Sequence, residues 1–175
     1  MIFSDNPGYY GDNAGRLSLD DHLVASGRLA LTDRGPEAGF YLGWFNSAER
    51  GYPPKNVLGV FAEGPSSVGS MFRPIYAASN PQIGGVLKKG PMIDAFGKRH
   101  SWKIEYDPKA ARGRGELTVS FDGKIEVLTL TPEARKQNAH FDRFGIAVYE
   151  GGGQWSTAFL DDLQYTVGPS AATHD

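Results

Sequence analysis

Apolar and polar side chains alternate with a period of two along most of this chain, and a helical period is almost absent. Leu117, Val119 and Phe121 alternate with Thr118 and Ser120, and Asp122-Gly123 then forms a two-residue hairpin signal into a second run at 125–130. Trp102, Ile104 and Tyr106 alternate with Lys103 and Glu105, and Asp107-Pro108 closes that run because a residue before proline leaves regular pairing. Phe144, Ile146 and Val148 alternate with Arg143, Ala147 and Tyr149 ahead of Gly151-Gly152-Gly153. Earlier strands are predicted at 27–32, 40–46, 57–62 and 68–76. A last one sets Phe159, Leu163, Tyr165 and Val167 on one face. The only helical signal is one short turn, with Thr131 as N-cap and Pro132 at the first helical position. Nine or ten short strands between glycine and proline turns predict an antiparallel sandwich or jelly roll.

Composition narrows the function classes. A length of 175 residues fits one domain, expected at 1–167, with 168–175 as a tail or linker stub. The 18 Lys+Arg against 20 Asp+Glu leave a net charge of -2, which argues against a nucleic-acid binder. Hydrophobic residues at 40% fill a core, and the 23 glycines and 11 prolines suit turns rather than helices. With no cysteine, disulfides, thiolate metal sites and cysteine nucleophiles are excluded. No apolar run approaches the roughly 20 residues of a membrane helix, so membrane insertion is not expected. Residues 1–7 lack the features of a signal peptide. The expectation is an extracellular or periplasmic module of a larger protein whose signal lies outside this chain, with a cytoplasmic location as the alternative.

Few residues carry an obvious chemistry. His22, His100, His140 and His174 form no short-spaced metal pair, and His100, in phase with Trp102 and Ile104, reads as a satisfied histidine at the end of a core strand. There is no Gly-x-Ser-x-Gly elbow and no phosphate loop. Glycoside hydrolysis needs two carboxylates facing one sugar bond, and Glu105 with Asp107 is a weak pair for that. Arg114-Gly115-Glu116-Leu117 superficially resembles an alginate-lyase strand motif, but the expected partners downstream are absent and that reading is rejected. Period two puts Asp161 on the face of Phe159, Leu163 and Tyr165. A buried carboxylate there needs a partner: Arg143, or a calcium ion completed by Asp5 or Asp12. An exposed edge acid is the remaining option.

Three segments, His100-Ser101-Trp102-Lys103-Ile104-Glu105-Tyr106-Asp107-Pro108, Phe141-Asp142-Arg143-Phe144-Gly145 and Leu160-Asp161-Asp162-Leu163-Gln164-Tyr165-Thr166, resemble bacterial laminin-G-like domains of the concanavalin A-like lectin/glucanase group. The resemblance covers residues 27–167. It implies a concanavalin A-like jelly roll and a glycan or polysaccharide partner, and the paired aspartates are similar to those that help hold a structural calcium in jelly-roll binding modules. Sugar binding needs aromatic rings to stack on pyranose faces, with polar groups beside them. Phe40, Leu42 and Trp44 lie on one face of their strand and Tyr41 and Phe45 on the other, so both faces must be covered. Trp155, with Trp44 or Tyr41, is the expected stacking platform, and Arg73 and Tyr52 are the expected flanking groups. The first expectation is a noncatalytic carbohydrate-binding module with an aromatic-lined groove. A polysaccharide-acting hydrolase or lyase, and a structural or adhesion domain, are the alternatives.

Overall fold

The computed structural model describes residues 8–34, 39–49, 54–66, 69–87, 89–93, 97–148 and 156–168. Among the described residues twelve strands form two antiparallel sheets: β1 Gly8–Ser18, β2 Leu23–Arg34, β3 Phe40–Phe45, β4 Val57–Ser66, β5 Gly69–Ala78, β6 Asn80–Val86, β7 Met92–Ile93, β8 His100–Asp107, β9 Glu116–Phe121, β10 Lys124–Thr129, β11 His140–Val148 and β12 Ser156–Tyr165. One sheet has seven strands in the order β1-β11-β3-β4-β5-β6, with β7 pairing on β5. The other has five, in the order β10-β9-β8-β2-β12. The fold is an all-β jelly-roll sandwich.

Local chemistry explains the elements that sequence identifies. The β9–β10 hairpin pairs Phe121 with Lys124, and both turn residues take positive φ, 48° at Asp122 and 79° at Gly123. Asp122 holds the turn further by accepting from Ser101 N–H and from His100. Along β8, His100, Trp102, Ile104 and Tyr106 all face inward and are buried, as their period-two spacing requires. The layer between the sheets is aromatic. Trp44 meets Phe144 edge-on at 5.0 Å, Tyr165 stacks on Phe144 at 4.6 Å, and Phe72 packs on Phe121 at 4.3 Å. Each such side chain contributes about 1.5–3 kcal/mol of burial.

Several elements differ from the sequence expectation, among them β1, the helical turn and β12. β1 has no periodic apolar signal. Gly11, Asn13 and Gly15 interrupt it, and it exists because β11 pairs with it across a bulge between Asn13 and Leu17. The helical turn begins later than Pro132: a 3-10 turn spans Ala134–Gln137, and Thr131 supplies a backbone carbonyl to Ala134 N–H rather than a side-chain cap. β12 changes phase in its middle. Between Asp161 and Gln164 a bulge inserts one residue opposite β2, with Asp162 at φ 53°.

That bulge corrects the expectation for Asp161. Phe159 and Asp161 share a face, but it is the solvent face, and Phe159 is 59% exposed. After the bulge, Leu163 and Tyr165 turn inward against the core. Asp161 is therefore exposed, with Arg28 of β2 opposite it in register. Arg143 lies in the other sheet. β1 and β12 also belong to different sheets and meet at Tyr165, whose hydroxyl donates to Asp12 Oδ2 at 2.7 Å, and at Gly168 N–H, which donates to Ala14.

Candidate functional site

All six residues of β3 are buried, which a two-layer sandwich does not require of a strand with one face toward solvent. Phe40, Leu42 and Trp44 enter the inter-sheet core. Tyr41 and Phe45 belong to a separate apolar cluster on the outer face of the seven-stranded sheet, with Val57, Ile75, Ala77, Ala147 and the half-buried Phe61. Tyr41 packs on Phe61 at 4.9 Å, and the Arg73 guanidinium lies 5.4 Å from the Phe61 ring centre, within cation–π range.

The cluster surrounds a strip without side chains. Gly11 pairs with Gly145, Gly145 with Gly43, and Gly43 with Gly59, so four glycines stand in register across β1, β11, β3 and β4. The packing enforces this. A Cβ on Gly43 collides with the carbonyl of Leu58, and one on Gly145 with that of Tyr10. Neighbouring side chains use the space, and the Phe45 ring tip comes within 3.0 Å of where a Gly11 Cβ would sit. On the row that pairs with Phe45, Arg143 and Asn13 add polar groups.

A polar network lies at the end of β3. Asn46 Nδ2 donates to His140 Nε2 at 2.7 Å, and Ser47 donates to both Asp142 oxygens, from its backbone at 2.7 Å and its hydroxyl at 2.6 Å. Asn56 donates to Glu49 Oε1 and accepts from Ser79 N–H, while Glu49 Oε2 is buried with no partner. Arg143 folds back onto Asp142, donating to its backbone carbonyl at 2.9 Å. Sequence spacing does not reveal this group, because its members lie as far apart as residues 46 and 142.

The sequence-predicted site residues are only partly brought together. Tyr41 and Arg73 join through Phe61, which sequence reading missed. The expectation that Trp44 stacks on a ligand is overturned. Trp44 is fully buried between the sheets and donates from Nε1 to the Thr166 carbonyl at 3.2 Å. Tyr41 is 3% exposed and is no open platform either. Trp155, Tyr52 and Asp5 lie outside the described residues. Asp12 accepts from the Tyr165 hydroxyl, and among the described residues no three His, Cys, Asp or Glu side chains form a metal-holding group. A hydrogen bond from Lys103 leads the interactions that hold the Glu105 carboxyl below its usual range, and Asp107 accepts from Lys109 N–H.

No protein-family model matches this sequence, and no curated protein matches it. Solved structures do. The alginate lyase PA1167 from Pseudomonas aeruginosa superposes with a TM-score of 0.57 at 12% identity, over 86% of this chain and 66% of the lyase. This chain thus spans just under two thirds of that enzyme's length. The carbohydrate-binding module CBM66 from Bacillus subtilis gives a TM-score of 0.52 at 14% identity, covering 93% of this chain and 83% of the module. The carbohydrate recognition domain of Emp47p gives 0.53 at 13%, covering 94% and 88%. At these identities the likeness establishes the fold, and the chain adopts the concanavalin A-like jelly roll.

Proposed function

We propose that this protein binds a glycan on the outer face of its seven-stranded sheet and does so without cleaving it. One observation carries the reading: an aromatic and apolar cluster, rimmed by Phe61, Arg73, Arg143 and Asn13, surrounds a four-glycine strip on a sheet face that the core does not use. The cluster's own members are buried, so the surface it offers a ligand is its rim, Phe61, Arg73, Arg143 and Asn13. Rings flanked by guanidinium and amide groups suit the alternating apolar and hydroxyl-bearing faces of sugars. The fold is shared with a carbohydrate-binding module and a carbohydrate recognition domain, which supports the same class of partner. Trp155 remains part of this proposal as a stacking ring.

A second reading, polysaccharide cleavage, draws on the network at the end of β3, where Glu49 keeps a buried oxygen without a partner and the neighbouring Asn46 and Ser47 bond His140 and Asp142 of β11. A carboxylate and a histidine are the usual acid–base groups. One glycan array combined with a turnover assay on the same polysaccharides separates the readings. Binding without products is expected. Products whose formation is lost in Glu49→Gln assign the second reading. Silence in both assays overturns both and leaves an adhesion domain. Phe61→Ala and Trp155→Ala should each weaken binding about tenfold with little change in melting temperature. Unchanged affinity in Phe61→Ala moves the site off this face, and unchanged affinity in Trp155→Ala removes that ring from the proposal.

A further inference from the structure

We propose a second ligand site on the opposite sheet, at the β2–β12 edge, that binds a sugar carrying an anionic substituent, a carboxylate or a sulfate. A cavity of about 330 Å³ opens there, lined by Arg28, Ala30, Gly97, Arg99, Phe159 and Asp161, together with Leu29 and Leu160. That volume is at the low end of ordinary small-molecule sites.

The fold explains why these residues meet. Antiparallel pairing sets Phe159 opposite Ala30 and Asp161 opposite Arg28. The bulge beyond Asp161 holds Phe159 and Asp161 on the solvent side while the rest of β12 turns inward. Gly97, at φ 72°, donates its N–H to the Leu31 carbonyl at 2.8 Å, which pins the approach to β8 against β2 and sets Arg99 at the cavity wall.

The wall chemistry identifies the ligand. Phe159 is exposed and offers a ring for the C–H face of a pyranose. Arg28 is fixed by Asp162 at 3.2 Å, Nε to Oδ2, so its guanidinium is positioned and its charge already matched. Arg99 has no such carboxylate partner among the described residues. Asp161 spends one oxygen on Asp162 N–H at 2.9 Å and keeps the other for a sugar hydroxyl. Arg99 and Asp161 are then the two charged groups of the wall without an ion-pair partner among the described residues, and the planar donor fork of Arg99 fits a carboxylate or sulfate in two-point contact while Asp161 takes a hydroxyl. This site lies on the five-stranded sheet and stands whether or not the glycine-strip face binds glycan.

The test is a backbone-amide NMR titration with glucuronate, glucose 6-sulfate and glucose. The expected result is shifts at Arg28, Ala30, Arg99, Phe159 and Asp161 with one or both anionic sugars, and at least about tenfold weaker response to glucose. Which anionic sugar responds distinguishes carboxylate from sulfate. Phe159→Ala and Arg99→Ala, both at exposed positions, should abolish the response while leaving the melting temperature unchanged. No shifts at these residues, an equal response to glucose, or a response that survives both substitutions overturns the site. Because Phe61→Ala affects only the other sheet, it should leave these shifts intact.

Discussion

His100 shows how a polar residue in a core strand is accommodated. Its ring is buried, and Nδ1 donates to Asp122 Oδ2 at 2.6 Å, while Nε2 is left buried without a partner. For Asp122, partial burial pushes the carboxyl up, but the hydrogen bonds from His100 and Ser101 N–H, aided by His100 and Lys124 charge, outweigh it and the net direction is down. A carboxyl depressed in the folded state contributes stability above its unfolded pKa and loses it as pH falls through the folded value. Asp122→Ala should therefore cost about 1–3 kcal/mol at neutral pH, because it strands the buried His100 ring, removes the acceptor of Ser101 N–H and puts alanine at positive φ. The gap between wild type and variant should shrink in urea melts taken below about pH 4. A constant gap across that range would remove the ionised carboxylate from the explanation.

At the scale of the element, the glycine strip and the β12 bulge make opposite demands on substitution. Gly59 sits against Leu42 as Gly43 sits against Leu58, and the atom each Cβ would strike is backbone, which cannot swing aside. Gly59→Ala should cost roughly 3 kcal/mol or more, by forcing β3 and β4 apart. Asp161→Asn, on the solvent side of the bulge, should change stability by less than about 0.5 kcal/mol. Paired denaturation curves read both. A stable Gly59→Ala would mean that the strip tolerates side chains, whereas a destabilised Asp161→Asn would restore Asp161 as a buried, partnered charge.

Across the whole molecule, two tyrosines tie the five-stranded sheet to the chain around β1. Tyr106 of β8 donates to the Leu19 carbonyl at 2.9 Å, just beyond β1, and Tyr165 of β12 donates to Asp12 within it. Burial raises both hydroxyls to about 12, opposed at Tyr106 by Arg135 and reinforced at Tyr165 by the Asp12 carboxylate. The sign follows from linkage. The unfolded chain releases these protons near pH 10, the folded one holds them to about 12, so stability is fully present below 10 and falls between the two. The double variant Tyr106→Phe, Tyr165→Phe should be less stable at pH 7 and show a flatter decline above pH 10. An equally steep decline in wild type and variant would assign the alkaline limb to other groups.

Strand alternation and turn chemistry were enough to read much of this sandwich directly. β8, β9, β10 and their hairpin, the inward Trp102 and His100, and the double-sided burial of β3 all follow from residues close together in sequence, where period two and an Asp-Gly turn act locally. The tertiary structure decided the rest. β1 has turn-forming glycines and exists because β11 supplies its hydrogen bonds. Trp44 is core because the second sheet, through Thr166, lies over it. Asp161 faces water because one inserted residue in β12 reverses the phase that a regular strand would keep, and a single bulge leaves no periodic trace. The glycine strip depends on the register of four strands drawn from residues 11, 43, 59 and 145. Register is set by long-range pairing energy and not by the propensity of any one segment, so which glycines align, and which face they leave bare, is settled only when the sheets assemble.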